Sequence, residues 1–202
     1  MSVKKVHDIQ PENFEFTKEN LELANNILKK YPAEKKKSSV MPLLYLAQIQ
    51  NNNWIPLSAL KYIGKFLSMP YINVYEIATF YTMYNLAPVG KYFVQVCTTT
   101  PCLLRGANEI VKVCKDKISK NEGAVSKNGM CSWIETECLG ACVNAPMIQV
   151  NNDYYEDLNQ DNMEKILDSF MQDKPLEPGS YRGRKSSAPE RKENKINGSN
   201  NA

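Results

Sequence analysis

The sequence contains a single histidine, His7, in 202 residues, and it lies in a polar N-terminal stretch. Imidazole is the base of catalytic triads, a frequent zinc ligand and the distinguishing ligand of Rieske clusters. Because His7 precedes every predicted helix and strand, we expect it to be a solvated surface residue. The sequence therefore excludes these three kinds of site from the folded core.

Long apolar runs are also missing. The longest, residues 40–47, contains a proline and is far shorter than the roughly 20 residues that cross a bilayer. The N-terminus, MSVKKVHDIQPE, lacks the apolar segment of a signal peptide, and its acidic residues oppose a transit peptide. We therefore expect no direct membrane insertion and a cytoplasmic protein.

Basic charge is scarce outside the C-terminus, although the net charge of the chain is +3. Residues 180–202 contain six Lys and Arg against two Glu, which leaves the rest of the chain almost neutral. Proteins that bind nucleic acids need a basic patch on their folded body, so we expect no nucleic-acid partner. Residues 175–202 are rich in Pro, Gly, Ser, Asn and charge, which predicts a disordered basic tail, and residues 180–202 of it are expected to be dispensable.

The first half of the chain has helical periodicity. Residues 1–16 are predicted to be a flexible leader and residues 17–86 a small helical bundle. Four helices are predicted: one capped by Thr17 and ending near Tyr31, one from Ser38 or Ser39 through Ile49, one from Pro56 to Leu67, and one from Asn73 to Tyr84.

Residues 87–174 have a different sequence pattern, which predicts a small sheet with helices packed on it. The predicted strands are 91–97, 132–137, 147–150 and 153–158, and the predicted helices are 100–119 and 163–171, capped by Thr100 and by Asn159 or Asp161. This order, β-α-β-β-β-α, follows the helical bundle, so the fold class is α+β.

Four of the six cysteines form two close pairs, Cys97 with Cys102 and Cys138 with Cys142. Each pair follows a predicted strand, so both pairs can lie at the same edge of one sheet. Four thiolates that converge from two loops form a site for zinc or for an iron–sulfur cluster.

The spacing and the surroundings favour a [2Fe–2S] cluster over zinc without settling the choice. Structural zinc most often uses pairs separated by two residues, whereas four and three residues separate these pairs. A cluster held by four thiolates is anionic and becomes more so on reduction, and residues 97–107 and 138–150 contain no acidic side chain. Gly140 lets the backbone approach the sulfurs and donate N–H hydrogen bonds to them.

Other uses of the cysteines fit less well. Disulfides are unexpected without a secretory signal, and a thioredoxin-type redox pair needs the shorter Cys-x-x-Cys spacing. Cys114 and Cys131 have no close sequence partner and are predicted to be small core residues.

Three sequence stretches resemble a known family. They are CTTTPCLLRG from Cys97, ECLGACVNAPM from Glu137, and YEIATFYTMYN from Tyr75. They resemble the thioredoxin-like [2Fe–2S] subunit of NADH:quinone oxidoreductase, the respiratory complex I of bacteria. The resemblance covers residues 15–175.

The resemblance implies a helical bundle followed by a thioredoxin-like [2Fe–2S] ferredoxin domain. It also implies that Cys97, Cys102, Cys138 and Cys142 bind one [2Fe–2S] cluster and that no catalytic residue is present. Family members dock on a flavoprotein subunit that binds FMN and NADH, among the other peripheral-arm subunits. The implied role is single-electron exchange with that flavin, at the cytoplasmic face of the inner membrane.

Two alternatives remain open. Similar subunits serve NAD(P)-linked hydrogenases and formate dehydrogenases, and the sequence separates these from complex I only weakly. From a different class, the four cysteines could bind zinc in an interaction module without a redox role. Metal identity distinguishes the second alternative, and the co-purifying subunits distinguish the first.

Overall fold

The computed structural model describes residues 6–187, and the chain divides into two compact units, residues 1–88 and residues 89–202. Each unit has its own hydrophobic core. Among the described residues, no helix is long and apolar enough to cross a membrane.

The first unit is helical, as predicted. Its elements are α1 (Lys18–Leu28), a 3-10 helix (Ala33–Ser39), α2 (Val40–Gln50), α3 (Leu57–Phe66) and α4 (Tyr71–Phe80). Thr17 caps α1 as expected, because its hydroxyl accepts a hydrogen bond from the Asn20 N–H at 3.2 Å. The apolar faces of these helices enclose one core, in which Leu43, Leu60 and Ile63 are fully buried.

Several predicted helix ends are wrong by a few residues. Helix α1 ends at Leu28 rather than near Tyr31, and α4 begins at Tyr71, so Asn73 lies inside the helix instead of capping it. Pro56 precedes the first turn of α3. Helix ends are set by tertiary contacts as well as by capping residues, which the sequence pattern does not show.

The predicted flexible leader is ordered over residues 6–16. The His7 N–H donates to the Leu86 carbonyl at 3.0 Å, and its ring packs edge-on against Trp54. Phe16 is buried, with its ring edge-on to Tyr62. This segment therefore covers the bundle, and His7 is half-buried rather than solvated.

The second unit contains a five-stranded sheet in the order β2-β1-β3-β4-β5. The strands are β1 (Tyr92–Cys97), β2 (Cys131–Thr136), β3 (Ile148–Val150), β4 (Asp153–Glu156) and β5 (Gly179–Ser180). Strands β1 and β2 are parallel, with Cys97 opposite Thr136, whereas β3 is antiparallel to both β1 and β4. Because β1 and β2 are parallel, the loops that follow them leave the same edge of the sheet.

One face of the sheet packs against two helices, α6 (Ala107–Lys117) and α7 (Gln160–Met171). The predicted helix over residues 100–119 is instead two helices, α5 (Thr100–Leu104) and α6. Gly106 separates them in the left-handed region, at φ +102°, which a side-chain-bearing residue rarely adopts. Asn159 caps α7 in a reciprocal capping box with Asn162.

The prediction of a disordered tail from residue 175 is wrong for residues 175–187, and residues 188–202 lie outside the described part. We call residues 179–187 the C-terminal strap. Its first two residues form β5, which pairs with β4, and the Tyr181 N–H donates to the Glu156 carbonyl at 3.0 Å. Farther along the strap, Arg184 binds the side chain of Asp157, and Ser186 and Ser187 bind that of Glu156, long-range contacts that composition alone does not indicate.

Candidate [2Fe–2S] site

The first cysteine pair lies at the end of β1. Cys97 is the last residue of the strand and Cys102 lies in the first turn of α5, and both are 1% exposed. Thr99, rather than the predicted Thr100, occupies the N-cap position of α5. Its hydroxyl makes no capping hydrogen bond and instead lies 3.3 Å from the Cys97 Sγ.

The second pair lies in the loop that follows β2. Cys138 comes two residues after the strand, and Cys142 begins a short 3-10 helix, Cys142–Asn144. Both thiols are exposed, and their sulfurs are 3.5 Å apart. Gly140 between them has φ +83°, which reverses the chain so that the two sulfurs meet.

The structure brings the four predicted site residues together. The Cys97 thiol interacts electrostatically with those of Cys102 and Cys138, and the Cys138 sulfur lies 3.5 Å from that of Cys142. On its inner side the site is lined by a small apolar cluster that includes the two buried cysteines. The other members of this cluster are Ala107, Ala141, Ala145 and Met147. One side of the site is therefore dry and the other faces solvent.

Each pair contains one thiol of low pKa and one of high pKa. Burial acts to raise the pKa of Cys97, but hydrogen bonds from Thr99, from the Leu139 N–H and from Cys102 outweigh it and lower the pKa. The pKa of Cys102 is raised to about 12 by burial and by Cys97. At the exposed pair, the Gly140 N–H and the Cys142 thiol lower the pKa of Cys138, and donation to Cys138 raises the pKa of Cys142.

Three residues of the site were not singled out from the sequence as site residues. The Thr99 hydroxyl and the Leu139 N–H donate to the sulfur of Cys97. Tyr154, in β4, donates from its hydroxyl to the Leu139 carbonyl at 2.8 Å. The sequence signal for Thr99 was its place inside the first cysteine motif, whereas Tyr154 is remote in sequence and has no such signal.

A polar network lies behind Cys142. Asn144 donates from its amide to the carboxylate of Glu156, and Asn144 and Glu156 are 2% and 0% exposed. The same carboxylate accepts hydrogen bonds from the Ser186 hydroxyl at 3.2 Å and the Ser187 N–H at 3.0 Å, both in the strap. The strap also reaches the turn directly, because Arg184 donates to the Val143 carbonyl at 2.8 Å.

The two remaining cysteines are buried away from the site. Cys114 and Cys131 belong to the core between the sheet and helices α6 and α7, as the sequence predicts. Burial raises the pKa of both thiols, that of Cys131 to about 12. Neither has the polarised surroundings that a reactive thiol needs.

The donor set fits a [2Fe–2S] cluster. All six cysteines are free thiols, and four of them converge with backbone N–H groups directed at two of the sulfurs. Thiolates are the usual ligands of such clusters, and hydrogen bonds to the sulfurs are a known determinant of their reduction potential. Within residues 6–187, no three or more His, Cys, Asp or Glu side chains are close enough to enclose a single metal ion.

Comparisons with known proteins agree with this chemistry. The family model described as thioredoxin-like [2Fe–2S] ferredoxin matches residues 24–171. The E subunit of the NADH-quinone oxidoreductase of Rickettsia bellii is 56% identical over 161 residues, which cover 80% of this chain and 96% of that protein. The same protein of Rickettsia typhi is 52% identical over 160 residues, or 79% of this chain and 94% of that protein.

Among solved structures, the fold is similar to part of an NAD⁺-reducing [NiFe]-hydrogenase in its air-oxidised state. The TM-score is 0.54 at 17% identity, over 65% of this chain and 23% of that chain. At this identity the likeness concerns the fold alone. The family match and the Rickettsia relatives support a more specific assignment than the fold. These matches cover most of this chain, and those with the relatives also cover almost all of the relatives' own length. The chain therefore belongs to the thioredoxin-like [2Fe–2S] ferredoxin family and, within it, to the family of NADH-quinone oxidoreductase E subunits.

Proposed function

We propose that this chain is the electron-transferring E subunit of an NADH:quinone oxidoreductase, with Cys97, Cys102, Cys138 and Cys142 as the ligands of one [2Fe–2S] cluster. Single electrons pass between this cluster and the FMN of a partner flavoprotein, which also binds NADH. The observation that carries the proposal is the convergence of these four thiols in a chain that is 56% identical to an NADH-quinone oxidoreductase subunit of this family.

The bound cluster supplies one-electron oxidation and reduction without a change in the protein's covalent structure. The residues of the chain stabilise the charge on the sulfurs and exclude water from the site. Thr99, Leu139 and Gly140 direct O–H and N–H groups at the sulfurs, and such hydrogen bonds favour the more negative state of a sulfur site. The alanines beneath Cys97 and Cys102 exclude water from one side.

The exposed side of the site supports docking against a partner protein. Cys138 and Cys142 face solvent. Two apolar residues close in sequence to proposed ligands, Val143 to Cys142 and Leu104 to Cys102, are 81% and 80% exposed. Exposed apolar side chains beside an electron-transfer site are typical of a surface that a partner subunit covers. In this arrangement a cluster held by the four cysteines would exchange electrons with the partner on the side of Cys138 and Cys142, at the cytoplasmic face of the inner membrane.

The decisive experiment measures iron, acid-labile sulfide and zinc in chains purified without oxygen, with an EPR spectrum after reduction by dithionite. Serine variants of the four proposed ligands are compared with Cys114→Ser and Cys131→Ser, which are matched controls in the same unit. We expect iron and sulfide in equal amounts, a signal from the reduced cluster, and loss of both in the four ligand variants alone. Zinc without sulfide would replace this function with a structural metal site.

A corresponding subunit of an NAD(P)-linked hydrogenase or formate dehydrogenase is the second candidate. The likeness to an NAD⁺-reducing hydrogenase concerns the fold alone, whereas the Rickettsia relatives match over almost their whole length. Affinity purification from the native membrane fraction separates the two. Complex I subunits with NADH:quinone activity support our proposal, and a hydrogenase or formate dehydrogenase in their place refutes it.

A further inference from the structure

The peptide group between Leu139 and Gly140 has hydrogen-bond partners at both ends. Its carbonyl oxygen accepts a hydrogen bond from the Tyr154 hydroxyl at 2.8 Å, and its N–H is directed at the sulfur of Cys138, whose pKa it lowers. The carbonyl and the N–H of a trans peptide point in opposite directions. A group that fixes the carbonyl therefore also fixes the direction of the N–H.

The loop does not fix this peptide by itself. Gly140 has φ +83°, and the space where its Cβ would stand contains no atom within 4 Å. Glycine permits several orientations of the flanking peptides, so the observed one needs an external support. Tyr154 is suited to this role because it stands on β4, which is paired with β3, and its ring packs against the apolar cluster beneath Cys97.

We propose that Tyr154 is a positioning residue that holds the Leu139–Gly140 peptide with its N–H on the Cys138 sulfur and thereby raises the reduction potential of the cluster. The cluster gains one electron and no proton, so its sulfurs become more negative on reduction. A hydrogen bond to sulfur is then stronger in the reduced state, which it stabilises. The inference rests on the proposed ligand assignment.

The test is the midpoint potential of the Tyr154→Phe chain, measured by EPR at a series of poised potentials with the cluster bound. Phenylalanine keeps the ring and removes the hydroxyl. At the midpoint potential of the unmodified chain, we expect the ratio of reduced to oxidised cluster to fall about three- to tenfold. A fall of about tenfold corresponds to a shift of about 59 mV to more negative potential for one electron.

Tyr155→Phe is the matched control. Tyr155 is the next residue of the same strand, points to the other face of the sheet, and donates from its hydroxyl to the Leu176 carbonyl at 3.0 Å. The Tyr155→Phe variant loses the same kind of hydrogen bond without a change in the cysteine loop. The midpoint potential of its cluster should therefore match that of the unmodified chain. Equal potentials in the two variants, or a positive shift in Tyr154→Phe, would overturn the inference.

A second measurement reports on the peptide itself. In a chain labelled with ¹⁵N-glycine, pulsed EPR of the reduced cluster should detect hyperfine coupling to the Gly140 nitrogen, and this coupling should weaken in Tyr154→Phe. Unchanged coupling would also overturn the inference. Failure of the ligand assignment gives a different result, because Cys138→Ser would then keep its cluster.

Discussion

The contact between Asn144 and Glu156 allows a quantitative prediction about the turn that carries Cys142. The Asn144 amide lies 2.5 Å from a carboxylate oxygen of Glu156, and neither side chain is more than 2% exposed. Asn144→Leu removes the donor but keeps the number and branching of the side-chain heavy atoms, and Asn144→Asp keeps the shape but places a second carboxylate against the first. Comparing the two variants separates lost hydrogen bonds from a new repulsion.

The leucine variant loses both hydrogen bonds of the Asn144 amide, one to the Glu156 carboxylate and one to the Lys185 carbonyl at 2.9 Å. The bond to the charged acceptor contributes about 1.5–3 kcal/mol to the free energy of unfolding. The aspartate variant loses the same bonds and adds repulsion between two charges roughly 4 Å apart. At an effective dielectric constant of about 20, this repulsion is about 4 kcal/mol. We therefore expect Asn144→Asp to be less stable than Asn144→Leu by roughly that amount.

The assay is urea unfolding of the chain with its cluster, followed by the fluorescence of buried Trp133 in a Trp54→Phe background and by the visible absorbance of the cluster. With a slope of about 1–3 kcal/mol per molar urea, the leucine variant should unfold at a midpoint about 1 M lower. The exposed loop residue Asn121, changed to Asp, is the control and should unfold like the parent. Equal midpoints for Asn144→Asp and Asn144→Leu would refute the reasoning.

Three further predictions use other contacts. Gly90→Ala should lower the free energy of unfolding by several kcal/mol in urea titrations, because its Cβ would overlap the main chain of β2 at Cys131 and Ser132; a normal midpoint would contradict this close approach. Deletion of residues 188–202 should preserve the iron content of the chain, whereas deletion of residues 179–202 should lower it by removing the strap. Equal iron content in the two truncated chains would show that the strap is dispensable. Burial acts to raise the pKa of Asp157, but hydrogen bonds from Arg184 and Ser180 lower it. The stability that this carboxylate contributes is therefore present above its unfolded pKa of about 3.9 and is lost as pH falls through the lower folded pKa. In acid titrations Asp157→Asn should cost stability at pH 7 but much less at low pH, and an equal cost at both would contradict the pairing.

The sequence predicts the parts of this fold that depend on local periodicity. The helical bundle, the strand that ends at Cys97 and the cap at Asn159 follow from apolar spacing and capping chemistry. The convergence of the two cysteine pairs also follows from local patterns, because each pair comes after a strand and those two strands are parallel.

The parts that the sequence does not predict depend on contacts between distant residues. The order of residues 6–16 comes from Phe16 and His7 meeting α3 and the end of the bundle, and the order of the strap comes from Glu156 and Asp157. Composition describes both segments as polar and mobile because it cannot register partners elsewhere in the chain. The break at Gly106 does not follow from the sequence for another reason, since a single glycine is compatible with a continuous helix at modest cost.

The position of the strap in the sequence has a consequence for the order of assembly. During synthesis the N-terminal helices emerge first, and a chain generally folds domain by domain from that end. All four thiols, from Cys97 to Cys142, leave the ribosome before Arg184, Ser186 and Ser187, which brace the turn after Cys142. The turn after Cys142 therefore stays unbraced until residues 184–187 have been made, and the contacts that hold it form only after all four thiols are in place.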